Sequence, residues 1–157
     1  MVAAMLAGVL LLLASTPTLA ELRGDDLTLP RQVTEGGWLD LRLQILGLGL
    51  SYPAYRVSVA LTDSNQVRFE FWISSPMAQH LSDAGREETE RILAYHAKGI
   101  QKRVADMIGK EFPVLSPRYD GRRDFKGEFM TPGVELDSEP ERWARWREET
   151  LEWSWHP

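Results

Sequence analysis

The sequence predicts a two-layered α+β fold: a three- or four-stranded antiparallel meander covered by one long helix and flanked by a tryptophan-bearing C-terminal helix. Three observations predict it. Apolar residues alternate with polar ones between residues 38 and 73, the period of half-buried strands. Residues 75–108 then read as a charged amphipathic helix, with acidic residues early and basic ones late. Finally, Trp143, Trp146 and Trp153 recur at a spacing that lines one helical face.

The chain opens with an apolar run, Met1–Ala14, followed by Ser15-Thr-Pro-Thr-Leu-Ala20. Small residues at Thr18 and Ala20, with Pro17 before them, fit a signal peptidase site, so residues 1–20 are expected to be a cleavable signal peptide. The run lacks the usual basic start, which raises the question of whether the initiating methionine is the true one. The alternative is an uncleaved membrane anchor, since about 20 apolar residues can span a bilayer. Residues 21–157 are then expected to form one small domain in the periplasm or secreted medium.

Glu21–Gly37 is polar and reads as a leader with a short strand at Leu27–Leu29. Leu39, Leu41, Leu43 and Ile45 alternate with polar residues, and the phase slips at Leu46, Leu48 and Leu50, which predicts a strand with a bulge near Ile45–Gly47. Tyr55–Leu61 and Val67–Ile73 follow as strands joined by a turn at Thr62–Asn65. Ser75-Pro76 starts the helical region, Gly85 breaks it, and Gly109 and Pro113 end it. Phe125–Met130 is expected to add an edge strand. Ser138-Glu-Pro-Glu141 reads as a capping box for a helix running to Trp153.

Composition narrows the function. The chain has no cysteine, which excludes a lipid-anchored cysteine, a thiol nucleophile, a dithiol redox pair and thiolate-ligated metals. A net charge of −5 gives no general attraction to nucleic acid or anionic lipid. Basic residues are mostly arginine and asparagine occurs once, at Asn65, a bias associated with GC-rich bacterial genomes.

No motif names a reaction. His80 lies near a helix start, His96 on the inward face of the long helix, and His156 near the end, with no metal-ligand spacing among them. Gly49-Leu-Ser51-Tyr-Pro53 departs from a nucleophile elbow at its last position and sits between strands. Glu87, Glu88 and Glu90 are what a helix N-terminus favours without any catalytic role.

Two segments are candidate binding sites. Arg118, Arg122 and Arg123 occupy a glycine-containing loop with Tyr119 and Phe125 and could clamp a planar anion, although Asp120 and Asp124 lie among them. Trp143, Trp146 and Trp153 would give the last helix either a core stripe or a partner-binding face. The leading reading is an exported, non-catalytic binding or accessory protein whose partner is another protein, requiring no cofactor or metal and binding no nucleic acid. A second reading is a small-anion binder or cysteine-free hydrolase using His80 or His96. A third is a membrane-associated accessory held by residues 1–20.

Overall fold

A computed structural model describes residues 31–132 and 139–154, and Glu35–Pro157 form one compact unit. The expected signal peptide, the short strand at Leu27–Leu29, the capping serine Ser138 and His156 lie outside the described residues. Among the described residues the architecture is α+β: three helices and a five-stranded mixed sheet. Helix α1 spans Arg31–Leu50, strands β1 and β2 span Tyr55–Leu61 and Val67–Ile73, and helices α2 and α3 span Ser75–Ala84 and Arg86–Glu111. A short 3-10 turn at Ser116–Arg118 leads to β3 (Phe125–Thr131), β4 (Glu141–Arg147) and β5 (Thr150–Trp153). Among the described residues no helix is long and apolar enough to cross a membrane.

The middle of the chain folds as its pattern predicts. β1 and β2 pair antiparallel from Tyr55↔Ile73 to Leu61↔Val67, around a turn in which Asn65 takes positive φ (58°). Ser74 caps α2, its hydroxyl accepting from the Met77 N–H, and Pro76 sits in the first turn, where a missing N–H costs nothing. Gly85, at φ 86°, separates α2 from α3. Buried Thr89 closes the corner, its hydroxyl 2.7 Å from the Leu81 carbonyl and 2.8 Å from that of Gly85.

Three expectations are corrected. Residues 38–50 are the second half of a helix, not a strand, and the helix already includes residues 31–37 of the expected leader. The alternation of leucines there also contains Leu39, Leu43, Leu46 and Leu50, which is helical spacing; the apparent slip at Ile45–Gly47 is that period showing through. Phe125–Thr131 is the central strand rather than an edge. It runs parallel to β2, a pairing that α2 and α3 permit by forming the long crossover between them.

The predicted C-terminal helix is instead the β4–β5 hairpin. Trp143 and Trp146 are three apart and would face opposite sides of a regular strand. A bulge, where Phe129 pairs with Ala144 but Met130 with Arg142, inserts Trp143 and turns both indoles inward. The hairpin turn is hidden as well, because Glu148 and Glu149 occupy the two positive-φ positions (51° and 63°) that usually carry Asn-Gly.

The core lies on one face of the sheet. Val57, Val59, Phe69, Phe71, Phe125 and Phe129 meet Leu93, Ala97, Ile100 and Val104 of α3 and Leu39 and Leu43 of α1. Gly127 is required there, since a Cβ would fall 2.1 Å from the Phe69 ring. α1 also covers the sheet edge at β1. Asp40 accepts from the Leu61 N–H at 2.8 Å, and the Ser51 hydroxyl accepts from the Val57 N–H at 2.9 Å. Gly47 lets the backbones close in, because a Cβ would lie 2.9 Å from the Val59 nitrogen. Free strand edges invite pairing with other chains, and this one is occupied.

Candidate functional site

Residues 38–50 of α1 hold only three polar side chains, Asp40, Arg42 and Gln44, which is few for a helix at a protein surface. Leu39 and Leu43 enter the core, while Ile45 and Leu48 remain exposed, Leu48 to 73%. Its last turns lie antiparallel to α3. Arg42 reaches Glu111 at the far end of α3, Leu46 and Leu50 share a groove with Met107 and Arg103, and Tyr55, just past α1, meets His96. The groove has a volume of about 440 Å³ and a floor of Ile45, Leu46, Leu50 and Met107.

Its rim is charged. Arg42 donates to both oxygens of Glu111 at 2.7 and 2.8 Å, and that bonding raises the Arg42 pKa. Asp106 is held by Lys102 at 2.9 Å. Arg103 and Lys110, both exposed, have no carboxylate partner among the described residues, so the uncompensated charge of the rim is positive.

An aromatic cluster joins Tyr55, just past α1, to His96 of α3. Tyr55 stacks on Phe71 with centroids 4.6 Å apart, and His96 touches both rings, at 5.0 Å and 4.9 Å. Tyr52 and Tyr95 flank the cluster, largely exposed, with Tyr95 at 74%. Burial lowers the His96 pKa and raises that of Tyr55, the latter helped by Tyr52 and Tyr95. Neutral His96 therefore acts here as a flat packing group. Among the described residues no side chain hydrogen-bonds its ring nitrogens, and no group of three His, Asp or Glu residues could hold a metal.

The residues singled out from sequence are dispersed. Trp143 and Trp146 are 4% and 1% exposed, which puts them in the core and not on a surface stripe. Trp153 is half-buried on β5, with the Arg86 guanidinium 5.4 Å above its ring. Arg118, Arg122 and Arg123 do share one loop, but its aspartates build it: Asp120 accepts from the Arg122 N–H and Asp124 from the Asp120 N–H. Arg123 is tied to Asp124 through two bonds of 2.8 and 2.9 Å, which hold the carboxyl below its ordinary range. Arg123 also spends one N–H on the Arg118 carbonyl at 3.4 Å, while among the described residues the guanidinium groups of Arg118 and Arg122 have no hydrogen-bond or ion-pair partner. His80 stands exposed on α2.

Sequence reading missed Ile45, Leu48 and Tyr52. The available signal was the excess of leucine in α1, more than one buried face can use. No family model matches this chain. Neither does any curated protein or solved structure. Function is therefore argued from the site itself.

Proposed function

We propose that this chain is an exported, non-catalytic binding protein that docks another protein on the α1–α3 face. One observation carries the reading. All five exposed large hydrophobics among the described residues, Ile45, Leu48, Tyr52, Tyr95 and Val114, lie on these two helices or just beyond their ends. Solitary exposed apolar residues need no explanation, but their confinement to one helix pair does. The groove suits an amphipathic helix laid between α1 and α3, its apolar stripe on Ile45, Leu46 and Met107. Arg103 and Lys110 would favour acidic residues on its flank. Export rests on residues 1–20 alone.

The test is site-specific photo-crosslinking in the native host, with the reactive group at Leu48 or, as a control, at exposed Asp63 in the β1–β2 turn. The reading expects one discrete protein adduct from position 48 and none from 63. Equal labelling at both positions, or none at either, would refute it. A second reading, a small amphiphilic anion in the same groove, is favoured by the free cations beside an apolar floor. A melting shift with long-chain carboxylates that disappears in Arg103→Gln would support that reading over the first.

A further inference from the structure

The face of the sheet turned away from the core carries a charge pattern that stability does not require. Register places its side chains in three rows. One row is Arg68, Lys126 and Arg147, the next is Glu70, Glu128, Arg145 and Glu152, and the third is Arg56, Trp72, Met130 and Arg142. Six basic residues face three acidic ones on this surface, in a chain whose net charge is −5.

The arginines of β4 are weakly committed. Arg68 takes the best position on Glu128, at 2.7 Å. Arg142 and Arg145 reach the same carboxylate only at 3.2 and 3.4 Å, and Arg147 reaches Glu152 at 3.7 Å. Charge-assisted bonds of good geometry are nearer 2.7–2.9 Å. All three side chains remain two-fifths or more exposed. Lys126, across from Arg147, has no ion pair among the described residues.

Because of the bulge, Arg142, Arg145 and Arg147 follow one another along β4 on the same face, spaced as alternate residues of a strand, about 6.8 Å apart. An extended peptide presents every second side chain to one side with that same repeat. The geometry points to a second binding surface, one for an extended acidic segment of a partner protein lying along β4 with carboxylates at alternate positions. It stands independently of the groove between α1 and α3.

Two synthetic octapeptides of equal composition test this, one alternating Glu and Thr, the other with four Glu followed by four Thr. Extended on the sheet, the alternating peptide offers four carboxylates to the arginines and the block peptide only two. At low ionic strength, fluorescence anisotropy should show several-fold tighter binding of the alternating peptide. That preference should vanish in Arg145→Gln/Arg147→Gln and persist in Lys102→Gln, a change on α3. Melting of each variant checks that the fold is retained; should the double variant melt early, Arg147→Gln alone should still weaken the alternating peptide. Equal binding of the two peptides means general charge attraction and overturns the proposal, as does no binding of either.

Discussion

Replacing Gly127 with alanine tests the least expected feature of the fold, the parallel pairing of β2 with β3. That pairing sets Gly127 opposite Phe69. A Cβ at this position would lie 2.1, 2.2 and 2.4 Å from three carbons of the Phe69 ring. Carbon atoms settle at about 3.5–4.0 Å, so the ring would have to retreat by more than 1 Å, roughly. Phe69 cannot do so freely. It is fully buried, with Phe125 and Phe129 at centroid distances of 5.3 and 5.5 Å. Overpacking of this kind costs about 1–3 kcal/mol, and the depth of overlap argues for the upper part of that range. In a unit of this size the melting temperature should fall by about 4 °C for each kcal/mol. Gly99→Ala is the matched control. Nothing lies within 4 Å of a Cβ there, and alanine in a helix interior should gain up to about 1 kcal/mol. Thermal melts of the two variants should therefore move in opposite directions. If Gly127→Ala melts with the wild type, the Phe69 ring does not cover that glycine and the β2–β3 register described here is wrong.

Glu148→Asn/Glu149→Gly should raise stability by about 1 kcal/mol, because both positions hold positive φ that those residues tolerate better; an unchanged denaturant midpoint would argue against the turn geometry. Thr89→Val should cost about 1–2 kcal/mol by leaving the Leu81 and Gly85 carbonyls without their hydroxyl, read by urea unfolding. The depressed pKa of His96 gives a pH dependence of definite sign. Its contribution is full above the unfolded value near 6.5 and is lost as pH falls through the lower folded value, so wild type should lose stability on acidification more steeply than His96→Phe. Parallel slopes for the two proteins would show that His96 is not held neutral by its surroundings.

The legibility of the fold in sequence followed the locality of its signals. β1, β2 and their turn, the helix start beside Pro76 (one residue off, since Ser74 and not Ser75 is the cap), the break at Gly85 and the length of α3 were readable because each depends on neighbours within a few residues. Parallel pairing of β3 with β2 is non-local and leaves no mark in Phe125–Thr131 beyond its alternation. The β4–β5 hairpin was masked twice. Its bulge gives the tryptophans a helical spacing, and its turn uses Glu148 and Glu149 where turn chemistry normally shows itself. Of the α3 residues at the candidate site, His96 was legible as inward from the helix period. The part that α1 contributes was not legible.

That helix explains why its exposed apolar stripe and the fold can be separated by mutation. At about 100° per residue, its side chains fall into three groups. Asp40, Gly47 and Ser51 form a strip against the β1 edge. Leu39, Leu43, Leu46 and Leu50 form a second, roughly 90° away, packed on or in the core. Leu41, Ile45 and Leu48, continued by Tyr52, form a third that is roughly opposite the first two and includes the exposed Ile45, Leu48 and Tyr52. Edge cover and core burial are both complete without this third stripe. A helix needing only those two would be expected to place polar residues outward, as α3 does with Lys98, Lys102 and Asp106. The outward leucine and isoleucine are therefore surplus to stability, and a charge at Leu48 should leave melting nearly unchanged while removing whatever the face holds.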